Sequence, residues 1–212
     1  MRVLAPCALA LVLAAPTAAS ISECGSEVRS VEGRPLDLAP PQGYVDVCAH
    51  DQQLCQKLTK AYPPSLRRLG YFVPKEEWEA SKDKAPTNFR RYLIALLATN
   101  KKAAQLAAVK ERLRSQVGAA PDAGQLMTVL QEKGQASLGI LEDTPDAFAF
   151  GAVGRRDQHG SGELLAMTNS AMVLKEHVLS LYVSATVSDA AQVDAVKAIT
   201  KQWLGCLRSA NP

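Results

Sequence analysis

The sequence predicts an α+β fold, an antiparallel sheet flanked by helices, arranged as an α/β sandwich with a C-terminal helix packed on the sheet. Three observations predict it. Four successive strand-like segments, ASLGILED, DAFAFGAVG, ELLAMTNSAMV and HVLSLYVSATV, fill the last third of the chain. The segment after them repeats apolar residues at helical spacing, through Val193, Val196, Ile199, Trp203 and Cys206 or Leu207. Short strand-like pieces at the front and helical pieces in the middle complete a pattern that buries one sheet face under helices.

Taken in order, Gly25 to Gly43 is rich in Pro, Gly, Glu and Ser and reads as an extended lead-in with one short hairpin at Glu32-Gly33. Tyr44 to Cys48 alternates as a short strand. Asp51 is placed to cap the helix QQLCQKLTKAY, which Pro63-Pro64 stops. RRLGYFVP suits a strand with Leu69, Tyr71 and Val73 on one side, and PKEEWEASK a short helix anchored by Trp78. NFRRYLIALLAT fits either a helical stripe (Phe89, Tyr92, Leu93, Leu96, Asn100) or a strand covered on both faces. Helices are expected over Ala103–Val117 and Asp122–Lys133, the second ended by Gly134.

The four late strands are joined by Asp143-Thr144-Pro145, by RRDQHGSG and by a tight turn near Lys175. In the last of them His177, Leu179, Leu181, Val183 and Ala185 share one face. Val178, Ser180, Tyr182, Ser184 and Thr186 share the other. Ser188 is placed to cap the closing helix.

The first residues, MRVLAPCALALVLAAPTAAS, have the layout of a secretory signal: one early charge, a short apolar run, then small residues. Cleavage after Ala19 would remove Cys7 with the signal. Residues 20–43 then form an extended segment and 44–212 a single α+β domain. A spanning helix needs about 20 apolar residues, and no integral membrane segment is expected after signal removal.

The formal charge of +3 gives no polyelectrolyte character, so nucleic acid is not an expected partner. Lys101, Lys102, Lys110, Arg112 and Arg114 interleave with Leu106, Val109 and Leu113, the pattern of a solvated helix face.

Cys24, Cys48, Cys55 and Cys206 remain, an even count that favours disulfides in an oxidising compartment. Cys48–Cys55 is the preferred pair, because a strand end and an early helix position would approach closely enough. Cys24–Cys206 is the second. Two other readings stay open. Cys48, His50 and Cys55, with Cys206 or His177, supply metal-ligand types, but their spacing fits no common zinc module. A nucleophilic Cys55 near His50 is the other, although Cys-x-x-Cys is absent.

The ending GILEDTPDAFAFGAV…LLAMTNSAMVLKEHVLSLYVSATVSDAAQVDAVKAITKQWLGCL resembles the Mog1/PsbP-like α+β fold in its order of elements, over about residues 44 to 209. The chain also resembles exported proteins of Gram-negative bacteria. The first resemblance implies a strand at NFRRYLIALLAT and a binding or assembly role, and brings no functional residue with it.

Enzyme signatures are sparse. G-x-S-x-G, S-x-x-K, H-E-x-x-H, the P-loop and G-x-G-x-x-G are missing. His159 sits in a Gly/Ser loop and His177 begins an apolar strand face. Glu142, Asp143 and Asp146 surround a turn, and Glu76-Glu77 open a helix, so turn chemistry and the helix dipole explain both acid groups. Aromatic residues are only 5%, which leaves few platforms for sugar chemistry.

The expectation is an exported, periplasmic, non-enzymatic protein that binds an envelope protein or small ligand, or supports envelope assembly. No catalytic residue, cofactor or metal is assigned. Its expected surfaces are the sheet face opposite the terminal helix, with Ser180, Tyr182, Ser184 and Thr186, and the helical insert Ala103–Lys133. The alternatives are a small hydrolase using His177 or His50 with a nearby carboxylate, and a thiol-disulfide redox protein using Cys48 and Cys55.

Overall fold

The computed structural model describes residues 23–59, 62–81, 89–122, 124–155 and 162–212. The expected signal segment and His159 lie outside them.

Strands β1 (Val28–Val31) and β2 (Arg34–Asp37) form the expected hairpin, in which Glu32 and Gly33 take φ of 51° and 80°. Two positive φ angles are what a two-residue hairpin turn needs, and glycine adopts them without strain. The hairpin and its exit place Val31, Leu36 and Leu38 in the main core.

Strand β3 (Tyr44–Asp46) is shorter than the alternation suggests, because Asp46 ends it. The buried Asp46 carboxylate accepts from the Cys48 N–H at 3.0 Å and the Tyr71 N–H at 3.1 Å, and it pairs with Arg29. The first of these bonds caps a single helical turn, α1 (Val47–His50), so Cys48 lies on a helix turn and not at a strand end. Helix α2 (Gln52–Thr59) starts as expected, with the Asp51 side chain accepting from the Leu54 N–H at 2.8 Å.

In β4 (Leu66–Pro74) a bulge between Arg68 and Gly70 shifts the register. One extra residue reverses the alternation. Leu69 therefore joins Phe72 in the main core, while Tyr71 and Val73 face the other side. Gly70 is needed there: a Cβ would lie 2.5 Å from the Phe72 ring. Helix α3 (Lys75–Ser81) buries Trp78.

The ambiguous segment is strand β5 (Arg91–Lys102), with Leu93 through Leu97 all buried. A 3-10 turn (Ala103–Gln105) leads into α4 (Leu106–Arg114), which ends three residues before the expected Val117. Helix α5 (Leu126–Lys133) starts later than expected, since Asp122 instead closes a turn by accepting from the Gln125 N–H. Gly134, at φ 71°, ends it.

Strands β6 (Gln135–Thr144), β7 (Ala147–Arg155), β8 (Leu164–Leu174) and β9 (His177–Val187) match the four predicted segments. Helix α6 (Ala190–Ala210) is capped by Asp189, whose carboxylate accepts from the Gln192 N–H at 2.8 Å, rather than by Ser188.

Seven strands form one antiparallel sheet in the order β3-β4-β5-β9-β8-β7-β6. Helix α6 lies across one face, burying Val193, Val196, Trp203, Leu204 and Leu207 against β6, β8 and β9. Close approach is possible because β8 turns small residues toward it: Thr168 donates to the Thr200 hydroxyl at 2.7 Å, and Thr200 donates to the Val196 carbonyl. The indole N–H of Trp203 donates to the Leu38 carbonyl at 2.9 Å, so the helix also holds the N-terminal segment. Leu126 and Leu130 of α5 reach the same core.

Candidate functional site

The four cysteines form two pairs at disulfide distance. Cys48 and Cys55 have Cα atoms 4.9 Å apart, with the sulfurs 1.96 Å apart. The one-turn helix α1 and the start of α2 meet at Asp51, and that corner brings the two together. Cys24 and Cys206 have Cα atoms 5.7 Å apart and join the start of the described chain to α6. His50 is the last residue of α1 and stacks on Trp78 of α3, with ring centroids 5.7 Å apart. His177 opens β9, opposite Leu174 and Lys102. The sheet thus separates the two histidines: one sits over α3, the other at the β8–β9 turn.

The acid groups are drawn into ion pairs. Glu142 and Asp146 both pair with Arg208 of α6, and Thr144 donates to Asp146 at 2.8 Å. Asp143 takes Lys110 at 2.6 Å and Arg114 of α4. Two of the cations read from the sequence as a solvated face thus fasten α4 to the β6–β7 turn, and Arg114 also lies over the Phe148 ring. Glu77 accepts from the Arg90 and Arg91 N–H groups at the entry to β5.

Burial pushes the Asp146 carboxyl up, but the hydrogen bonds from Arg208 and Thr144 outweigh it and hold the carboxyl below its ordinary value of 3.8. A depressed folded-state value stabilises the fold fully above that ordinary value, and the contribution fades as pH falls through the folded one. Replacing Arg208 with Met is expected to flatten the acid limb of stability below about pH 4 and to cost about 0.5–1 kcal/mol at pH 7, because the pair is part-exposed and screened. Thermal unfolding of both proteins between pH 2.5 and 7 measures this.

The sheet face opposite α6 is covered only in part. Helices α1, α2 and α3 close its β3–β5 half over Tyr71, Val73, Ile94 and Leu96. At the border Tyr62, Tyr92 and Tyr182 gather, and Tyr71 stacks on Tyr92 with centroids 5.4 Å apart. Burial, with Tyr92 and Tyr182 nearby, pushes the Tyr62 phenol up to about 12. Burial also raises Tyr182, against a hydrogen bond to Asn169. Both stay neutral donors at ordinary pH. The Ser184 hydroxyl, under the same surface, is buried with no hydrogen-bond partner among the described residues.

Helix α4 crosses this face above β8 and leaves a groove on each side. One, about 620 Å³, runs between α4 and the ends of β4, β5 and β9, with Leu66, Val109, Leu113, Val178 and Ser180 in its walls and Lys101 and Arg112 at its rim. The other, about 800 Å³, lies along β6–β8, between Phe150, Ala152, Leu165 and Met167 and the coil 116–121. Gln116 lines both. Among the described residues no aspartate or glutamate lines either groove.

Of the face expected from the sequence, Ser180 lines the first groove, Tyr182 is half-buried, Ser184 is covered, and Thr186 lies at the far end of β9, in a separate cleft with Glu77, Arg91 and Gln192 of α6. The grooves were not visible in the sequence, because coil 116–121 carries no motif. One signal was available: Met167 stands on β8 where alternation points away from the core, and it is 44% exposed.

No protein-family model matches this sequence, and no curated protein does. Among solved structures, the chain is similar to the Ran-binding protein Mog1p of Saccharomyces cerevisiae, at 11% identity and a TM-score of 0.41, over 88% of this chain and 94% of that one. It is also similar to LpqN of Mycobacterium tuberculosis, a protein involved in cell envelope biogenesis, at 14% identity and a TM-score of 0.34, over 65% of this chain and 75% of that one. Both TM-scores lie below 0.5, and no residue, ligand or partner is carried across from either protein.

Proposed function

We propose that this chain is an exported, non-enzymatic binding protein of the cell envelope, a single domain that takes its partner or ligand on the sheet face opposite α6. The observation that carries the reading is the asymmetry of the two faces. One is covered by α6 and the N-terminal hairpin, whereas the other keeps two open, mostly apolar grooves, one beside α4 and one beside the coil that follows it, the second also lined by Val129 and Lys133 of α5. Apolar concave surfaces with a few polar groups are where ligands and partners bind.

Two cysteine pairs at disulfide distance, together with the signal-like residues 1–19, support export and oxidation of both pairs. Among the described residues, no helix is long and apolar enough to cross a membrane. Neither His50 nor His177 lines either groove, so the hydrolase reading lacks a substrate surface at its bases. Photo-cross-linkers on the two faces test the reading, with adducts expected from Met167 and Ser180, which line the two grooves, and none from Lys201 on the outer side of α6.

A further inference from the structure

We propose that the groove along β6–β8 binds an amphiphile made of one alkyl chain and one anionic headgroup. The inference deepens the binding reading above and rests on it. Size and lining come first. At about 800 Å³ the groove falls within the ~300–1,000 Å³ of small-ligand sites, and Val117, Val129, Phe150, Leu165 and Met167 give it apolar walls. Ala152, exposed on β7 opposite Met167, lies on its floor without filling it.

Charge comes second. Lys133 and Arg155 line the groove, and the backbone holds them at one end: the Arg155 N–H donates to the Gly134 carbonyl at 3.0 Å, and Gln135 pairs with Gly154. Among the described residues no carboxylate shares the lining. Two cations at one end of an apolar trough match a molecule with one anionic end and an apolar remainder.

The strand edge decides between an alkyl chain and a peptide. A peptide would add to an open edge through backbone hydrogen bonds. Coil 118–120 already runs beside β6: the Ser137 hydroxyl donates to the Gly118 carbonyl at 2.8 Å, and a Cβ on Gly139 would lie 3.2 Å from the Ala120 methyl. An alkyl chain needs only the apolar wall. Carboxylate and phosphate headgroups share the required chemistry, so a free fatty acid and a lipid phosphate are both possible sources.

Isothermal titration of the mature, disulfide-intact protein tests this, with sodium octanoate, dodecanoate, dodecyl phosphate and dodecyltrimethylammonium, all below their micelle concentrations. Burial strengthens binding by up to roughly fourfold per methylene, so dodecanoate is expected to bind one site at least about tenfold more tightly than octanoate. The ammonium amphiphile is expected to bind at least about tenfold more weakly than dodecanoate. The double variant Lys133→Glu/Arg155→Glu is expected to weaken dodecanoate binding about tenfold, and Ala152→Trp to abolish it, with thermal unfolding unchanged. Tighter binding of the carboxylate or of the phosphate identifies the headgroup source.

The proposal is overturned by any of four results. These are no saturation, equal binding of the ammonium amphiphile, binding unchanged in both variants, or binding of an acidic Glu/Leu peptide or of phosphatidylglycerol vesicles without dodecanoate. Persistent cross-links from Met167 alongside absent dodecanoate binding would sink the amphiphile and leave the wider binding reading standing. Absent cross-links alongside saturable dodecanoate binding would do the reverse for a protein partner.

Discussion

Removing the Cys24–Cys206 link, as Cys24→Ala/Cys206→Ala, is expected to cost about 4–5 kcal/mol, the largest loss from any change to the cysteines. The link spans 182 residues of sequence, so the unfolded chain gains the entropy of a very long opened loop. Opening Cys48–Cys55, seven residues apart, is expected to cost only about 2 kcal/mol by the same relation. Small domains are stable by about 5–15 kcal/mol, so the first change approaches unfolding and the second does not. Urea denaturation of the two double variants measures the difference. Equal midpoints would contradict the assignment of the long link as the principal clasp.

Trp203→Ala is expected to destabilise by about 3–5 kcal/mol, as large-to-small changes of buried aromatics do. Trp203 is 1% exposed, meets Phe72 edge-on with centroids 6.1 Å apart, and donates to Leu38. Its loss empties the junction of α6, β4 and the N-terminal segment, and it leaves a buried carbonyl unpaired. Trp203→Phe keeps most of the ring contact and loses the hydrogen bond, for an expected cost of about 1–2 kcal/mol. Hydrogen exchange resolves the two effects. Trp203→Phe should speed exchange at Leu38 and Ala39 while leaving β8 and β9 protected, whereas Trp203→Ala should speed exchange throughout.

The late strands were legible because each carries a period-2 pattern bounded by turn residues, and α6 because its apolar stripe, Val193 to Leu207, runs for about four turns. Strand β5 was not legible from its own pattern. With Leu93 to Leu97 buried on both faces, the alternation that marks a strand disappears into a continuous apolar run. Leu69 was placed on the wrong face because a bulge adds one residue, and no alternation count can register it. Segment 20–43 read as a lead-in, since its three core residues are dispersed among Pro, Gly and charged positions. The pairing was expected from compartment and, for Cys48 and Cys55 alone, from spacing; the structure brings both pairs to disulfide distance, and at Cys48 that geometry depends on Asp46 and its two backbone donors. The grooves lay furthest from the sequence. They exist because Lys110 and Arg114 hold α4 to Asp143, a long-range pairing that looked locally like a wet helix face.

The central claim is that the face opposite α6 is where this protein binds in the envelope. The most direct measurement is photo-cross-linking in living cells from Met167, Ser180 and Lys201, one position at a time, followed by fractionation. Adducts are expected from Met167 and Ser180, none from Lys201, and all the protein in the periplasmic fraction. Adducts from Lys201 alone, or a cytoplasmic protein that cross-links to nothing, would contradict it.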